Sequence, residues 1–474
     1  SKENSLKVKT CSKLSSNINN IDSAKLEIRD LLFVIEELLK SFNAIEDHFK
    51  DFNRPIDIDF KNNSKIDYIY GPPGTGKTTN LARKIIDQMK SDQKILILAP
   101  TNKAADVLIN RIINESSGEF PDWLVRYGTI TPNSLEKGGK KVYKDKSSFD
   151  PRGATKLAVI TTIARIAYEK VLKESEWDIL IFDESSMIAL PFIVYSIIIM
   201  MKKAKKIIVA GDPFQIQPIV AAAEWKDLNI YEMVGMKDFS NSNTSIKGNV
   251  ELLKKQFRSV PEIGNIVSRY LYKGQLSHNR SDSSGKPLKF MGVDFKPVSL
   301  IRFKNSGKDS LYKINTINKS SYQIYSALFT FEFVNQLYKE LEEQWKSKTN
   351  ETINEYLDDE FELDTINKYK WTVGVISPYG GQVQIMDRSI NSILKSNSKI
   401  SVINGTVHGF QGDECDIVIA VLNTPSSNSE LAHINNENII NVAISRAKDY
   451  LILIVPDNAE FYTELSKVLS LVKK

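Results

Sequence analysis

Cysteine is almost missing from this chain. Two occur in 474 residues, Cys11 and Cys415, far apart and in no Cys-x-x-Cys pair, and the four histidines are scattered. A disulfide framework and a structural zinc site are therefore not expected, and a reducing, cytoplasmic compartment fits best. Long apolar runs are also scarce. The longest, Met187–Met201, contains Pro191, ends at Lys202 and Lys203, and falls short of the ~20 residues that span a bilayer. It reads as a buried helix, and no membrane partner is expected. No secretory signal opens the chain, and its first residue is Ser rather than Met, which fits a fragment or a processed chain. A strong excess of one charge is lacking too. Sixty-three Lys and Arg stand against 58 Asp and Glu, a formal net charge of +5. This mild basic bias suits a nucleic-acid partner and suits an ordinary solvated surface equally well.

With 42% hydrophobic residues over this length, several cores are expected. Residues 1–20 are polar. From Ile28 to Phe49 apolar residues recur at helical spacing, giving one amphipathic helix within a 1–65 segment that packs on the next domain or docks a protein partner. From Ile66 the pattern changes to short β-branched runs alternating with amphipathic helices: Ile66–Tyr70, Ile95–Ala99, Leu157–Thr161, Ile179–Asp183 and Ile207–Ala210. A second series follows at Val298–Phe303, Thr372–Ser377, Ile417–Leu422 and Tyr450–Val455. Such alternation predicts parallel sheets with crossover helices. Two α/β domains are expected, 66–245 and 246–474, joined near 240–250. Segments at about 114–156 and 304–370 break the rhythm and read as insertions. The second ends in an acidic patch from Asp358 to Asp364.

Gly71-Pro72-Pro73-Gly74-Thr75-Gly76-Lys77-Thr78 lies between an expected strand and an expected helix. In that context, glycines let the backbone wrap around phosphate with its N–H groups inward. The helix N-terminus adds partial positive charge, Lys77 can reach the β- and γ-phosphates, and the Thr78 hydroxyl can ligate Mg²⁺. The neighbouring Thr79 falls in the same cradle. The strand at Ile179 runs into Asp183 and Glu184. Asp183 suits a metal-bound water, and Glu184 suits orientation or deprotonation of the attacking water. Alone, Asp-Glu after a strand is a weak signal; paired with the phosphate loop upstream it is strong.

Beyond these motifs the chain resembles superfamily 1 helicases of the Upf-like branch. The residues that carry the resemblance, in the family's order, are Ala99-Pro100-Thr101-Asn102, Asp183-Glu184-Ser185-Ser186, Gly211-Asp212-Pro213-Phe214-Gln215, Gln256-Phe257-Arg258-Ser259, Ser377-Pro378-Tyr379, Thr406 through Asp416, and Asn441 through Lys448. The resemblance covers roughly 66–456. It implies two tandem RecA-like parallel-sheet domains with ATP hydrolysed between them and Mg²⁺ as cofactor. Gln215 would sense the γ-phosphate, and Arg258 and Arg446 would reach across as arginine fingers. Phe257 would stack on adenine, and Glu414 would contact the ribose. The partner implied is single-stranded DNA or RNA. Pro100, Thr101, Asn102, Thr161 and Thr162 would touch it from the first domain, and Pro378, Tyr379, Thr406 and His408 from the second. Tyr379 reads equally as a base-stacking residue or a loop aromatic capping the core. The branch implies 5′→3′ movement, which the residues themselves do not encode.

Two departures stand out. Many family members read adenine with a Gln ahead of the phosphate loop, and no Gln precedes Gln88 here, so other nucleoside triphosphates are expected to serve. The family also carries a small β-barrel ahead of the loop, whereas the residues before Gly71 read mostly as one helix. ATP hydrolysis is thus expected more firmly than duplex separation. An ATPase switch that is gated by nucleic acid and recruits a partner without unwinding stays open beside the motor.

Overall fold

The computed structural model describes residues 63–472 apart from 132–141, 144–148, 168, 202–203, 219–228, 240–245, 282–283, 305–309, 356–369, 394–398, 411 and 424–432. The N-terminal helix expected between Ile28 and Phe49, Cys11, Gln411 and the acidic patch at 358–364 lie outside the described residues.

The first sheet is built from β1 (Ile66–Tyr70), β2 (Lys94–Ala99), β3 (Leu124–Tyr127), β4 (Val142–Tyr143), β5 (Leu157–Thr162), β6 (Ile179–Phe182), β7 (Lys206–Gly211) and β8 (Val250–Leu252). Their order is β4-β3-β5-β2-β6-β7-β1-β8, and every pairing is parallel. The second sheet has β9 (Val298–Phe303), β10 (Trp371–Ser377), β11 (Ile400–Thr406), β12 (Cys415–Val421) and β13 (Ala447–Pro456), ordered β9-β13-β12-β10-β11 and again all parallel. The chain is thus an α/β protein with two tandem parallel-sheet units, as the alternating pattern implies.

Continuous apolar runs make sense because both faces of each sheet are covered. Along β2, Ile95, Ile97 and Ala99 join one core cluster, while Leu96 and Leu98 join the other. The period of two simply sends alternate side chains to opposite faces. Helices α1 (Lys77–Gln88) and α2 (Asn102–Glu115) cover one face through Leu81, Ile85, Leu108 and Ile112. The run expected as a buried helix forms α3 (Leu190–Met201). Pro191 falls in its first turn, where a missing N–H costs nothing, and Leu190, Ile193, Ile197 and Met200 are buried. Among the described residues no helix is long and apolar enough to cross a membrane.

Described stretches of both segments expected as insertions pack into the cores. Residues Leu124–Tyr127 are a fully buried strand of the first sheet. Its four residues are too few for periodicity to register. Helix α4 (Ile324–Glu355) inserts Ala327, Val334, Leu337 and Leu341 against Val373, Val375 and Ile417 of the second sheet. The junction also falls later than expected, because β8 pairs with β1 through Tyr68↔Val250 and Tyr70↔Leu252.

Candidate functional site

Parallel sheets of this kind bind ligands at the carboxyl ends of their strands, and the register fixes which residues meet there. Tyr70 pairs with Gly211, and the Gly71 N–H donates to the Gly211 carbonyl at 3.0 Å. The phosphate loop, Asp183 after β6 and Asp212 after β7 therefore share one edge. Gly74 and Gly76 sit at φ +73° and +77°, where only glycine is unstrained. A Cβ on Gly74 would also fall 2.7 Å from the Arg258 Cβ. Thr75 closes the turn by donating its hydroxyl to the Pro72 carbonyl at 2.8 Å.

Across from this edge stands the amino edge of the second sheet. Glu414 immediately precedes β12 and Arg446 immediately precedes β13. A cavity of about 1310 Å³ lies between the two edges. Pro72 through Thr79, Asp183, Glu184 and Gln215 line one side, and Phe257, Arg258, Glu414 and Arg446 line the other. Every residue expected to serve catalysis thus faces one space. Among the expected nucleotide residues only Gly71 is not part of the lining, and its N–H anchors the loop.

Charge inside the cavity is organised around pairs and gaps. Lys77 is 6% exposed and donates to Glu184 Oε2 at 2.7 Å. Glu184 itself adopts φ 47°, ψ 43°, a left-handed conformation that costs a non-glycine residue ~1–3 kcal/mol and gathers at functional positions. Asp183 is buried beside it, and burial first, then the Glu184 charge, push its carboxyl up to about 7. Arg258 donates to Glu414 Oε1 at 2.6 Å and to the Ser445 carbonyl at 2.8 Å. Burial would raise the Glu414 carboxyl, but Arg258 and Lys448 hold it below its usual value. Arg446 is 3% exposed, and its Nε bonds the Val442 carbonyl at 3.3 Å. Burial and the neighbouring Arg258 push its guanidinium down to about 10. Arg446 Nη2 and Arg258 Nε are buried without a hydrogen-bond partner. Both arginines line the cavity, and unsatisfied donors on them fit a nearby anionic ligand, since buried donors otherwise carry a desolvation penalty. Phe257 is 51% exposed, with the Lys255 ammonium 5.7 Å from its ring centre and its N–H donating to the Gly74 carbonyl at 2.8 Å. A half-open aromatic face beside the phosphate loop suits a stacked base.

Among the described residues no group of three or more His, Cys, Asp or Glu is placed to hold a metal ion by itself. Asp183 and the Thr78 hydroxyl nevertheless offer hard oxygen donors in the same cavity, and the Lys77 ammonium that would neutralise Asp183 is bonded to Glu184. That donor set fits Mg²⁺, which takes few protein oxygens and shares the rest with phosphate and water.

The residues expected on the nucleic-acid path divide. Pro100, Thr101 and Asn102 follow β2, while Thr161 and Thr162 end β5, with Ala99↔Thr162 in register. Ser377↔Thr406 likewise joins the carboxyl ends of β10 and β11 beside Pro378 and Tyr379. Two adjacent strand ends in each domain therefore carry them. Several are already engaged. The Thr101 hydroxyl caps α2 by accepting from Ala104 N–H at 3.1 Å, Thr161 is fully buried, and the side-chain Oδ1 of Asn102 accepts from Arg126 at 3.1 Å. Tyr379 is 5% exposed with its ring 5.4 Å from that of His433, so of its two readings the core aromatic holds. Thr101 and His408 also line the cavity, and burial lowers the His408 pKa.

Sequence reasoning missed a buried ion pair, Arg126 with Asp106 at 2.8 Å, their side chains 0% and 2% exposed. Arg126 also donates to the Tyr127 and Thr129 carbonyls, and Asp106 accepts from Thr131 N–H at 2.7 Å. The pair thereby ties the loop after β3 to the start of α2. An Arg in an unrecognised strand gave no signal. Asn438 and Tyr272, which bond across the domain junction, were missed for a similar reason.

Two family models described as AAA domains match residues 58–221 and 234–458. The chain is similar to the DNA replication ATP-dependent helicase/nuclease of Schizosaccharomyces pombe, 24% identical over 80% of this chain and 26% of that protein. It is similar to the DNA polymerase alpha-associated DNA helicase A of Saccharomyces cerevisiae, 23% identical over 84% of this chain and 63% of that protein. An uncharacterised ATP-dependent helicase of Methanocaldococcus jannaschii is 26% identical over 80% of this chain and 50% of its own length. In each case the chain spans less than two thirds of the relative.

Proposed function

This chain belongs to the superfamily 1 helicases, on their Upf-like branch, and from that premise we propose that it hydrolyses ATP between its two domains to move along single-stranded DNA or RNA. The observation that carries the reading is the single cavity lined from both sheets, with oxygen donors and a lysine on one wall and two arginines with unsatisfied donors on the other. Lys77 leaves Glu184 for the polyphosphate. Glu184, so released, orients the attacking water and accepts its proton. Gln215 senses the γ-phosphate. Arg258 and Arg446 neutralise charge on the transferring phosphoryl oxygens, which only planar, permanently charged guanidinium groups do in a bidentate way. Thr78 and Asp183 would hold Mg²⁺, which would supply positive charge to offset that of the phosphates. Closure by the arginines weakens once the γ-phosphate is gone, and two states with different grip on a strand give directed steps.

The branch favours 5′→3′ movement. Phosphate contacts at the strand ends serve DNA and RNA alike. The scarcity of cysteine supports a reducing, cytoplasmic setting. The test is ATP turnover measured side by side with single-stranded DNA, RNA and their duplexes. Stimulation by single strands is expected. Lys77→Ala should abolish nucleotide binding, and Glu184→Gln should bind without turning over. Equal turnover with and without any strand would refute the motor.

A further inference from the structure

The segment that carries Gln215 is held mainly from the other domain. Asp212-Pro213-Phe214-Gln215 follows β7 of the first sheet, yet its carbonyls point at helix α5 (Glu437–Ile444) beside the second sheet. The side-chain amide of Asn438 donates to the Gln215 carbonyl at 2.7 Å and to the Pro213 carbonyl at 3.3 Å. The amide of Asn441, one turn on, donates to the Phe214 carbonyl at 2.8 Å and to the Tyr272 hydroxyl at 3.1 Å. Tyr272 in turn donates to Asp212 Oδ2 at 2.8 Å, and its ring meets Phe214 edge-on at 5.5 Å. All of Asp212, Tyr272, Asn438 and Asn441 are at most 4% exposed. Three consecutive backbone carbonyls and one carboxylate are thus read by side chains of the neighbouring domain. The same helix leads into Arg446, whose Nε is anchored on the Val442 carbonyl.

We propose that Asn438 and Asn441 are positioning residues that tie the Gln215 segment to the Arg446 helix, so that a backbone shift on one side of the cavity during nucleotide turnover is transmitted to the other. This rests on the proposed function and adds the link between its two walls. Three bonds to backbone carbonyls are indifferent to the side chains of Pro213, Phe214 and Gln215 and sensitive to where that backbone lies. A shift of Gln215 toward or away from a γ-phosphate is therefore passed to the helix that ends at Arg446. Neither asparagine lines the cavity, so neither is expected to contribute to nucleotide affinity.

The test uses the full chain with Asn441→Asp, which keeps the shape and turns a donor into an oxygen facing the Phe214 carbonyl. The expected result is a strand-stimulated kcat lower by about tenfold or more, the rate equivalent of one buried hydrogen bond lost. KM for ATP should stay near wild type, while the melting temperature falls because the variant buries an unpaired carboxylate. Full stimulated kcat in a folded variant would overturn the proposal, and so would a KM that rises as kcat falls. Should Asn441→Asp fail to fold, Asn438→Ala carries the same comparison: a fall in kcat at constant KM supports the link, and an unchanged kcat overturns it. A wild-type chain that shows no strand-stimulated turnover would instead sink the proposed function, before any variant is compared.

Discussion

Replacing Arg126 with Met isolates the buried ion pair of the first domain. The thioether fills much of the arginine stem's volume, so packing is largely kept while the charge goes. Asp106, 2% exposed, then loses the guanidinium that pairs its carboxylate, and the Tyr127 and Thr129 carbonyls and Asn102 Oδ1 each lose a donor. Removing one partner of a buried pair costs ~3–5 kcal/mol, and each kcal/mol lowers the melting temperature of a domain this size by ~2–4 °C, so the first domain should melt about 6–20 °C earlier. Pairing Arg126→Met with Asp106→Leu removes the stranded carboxylate and should recover most of that loss, since apolar replacement of a whole buried pair is often near neutral. Differential scanning calorimetry on the four chains closes the cycle. The reasoning fails if Arg126→Met melts within about 2 °C of wild type, or if the double variant is no more stable than the single one. Strand affinity supplies a second readout. Loss of the pair frees both Asn102 and the loop at 128–131, so single-strand binding should weaken in the double variant even where stability returns.

Gly74→Ala should abolish turnover and destabilise the cavity, because φ +73° and the Arg258 Cβ at 2.7 Å both oppose a side chain there; an active Gly74→Ala chain would contradict this packing. Phe257→Ala should raise KM for ATP several-fold while leaving kcat close to wild type, the mark of lost ground-state stacking, and a kcat-only effect would refute base contact. Burial pushes the Asp212 carboxyl up to about 7. A folded pKa above the unfolded one means the native state holds an extra proton between about pH 4 and 7. Its contribution to stability is therefore full below that window and lost as pH rises through it. Melting temperatures of wild type and Asp212→Asn from pH 5 to 8 should diverge in the variant's favour as pH rises, and parallel curves would disprove the shift. The exposed Lys103–Asp413 bridge, 2.6 Å across the domains, should add no more than ~1 kcal/mol, so Lys103→Ala should leave the melt nearly unchanged.

The sequence by itself determined the parallel α/β architecture, because β-branched runs such as Ile179–Phe182 are legible wherever both faces of a strand are buried. It determined the phosphate loop as well, where Gly74, Gly76 and Lys77 are demanded by backbone conformation and charge whatever surrounds them. Asp183 and Glu184 were read from the strand that runs into them and the phosphate loop upstream, whereas Gln215, Phe257, Arg258, Glu414 and Arg446 came from family resemblance, since an isolated Arg258 or Glu414 has no local signature. Only tertiary structure decided that Leu124–Tyr127 and Ile324–Glu355 belong to the cores, for a four-residue strand and a helix of mixed periodicity reveal their buried faces only against a neighbour. It alone decided that Tyr379 is interior, that Arg126 meets Asp106, and that Asn438 and Asn441 grip the carbonyls beside Gln215. Each of these depends on polar or aromatic groups far apart in the chain being brought within hydrogen-bond or packing distance, and sequence periodicity reports which way a side chain faces and not what it meets.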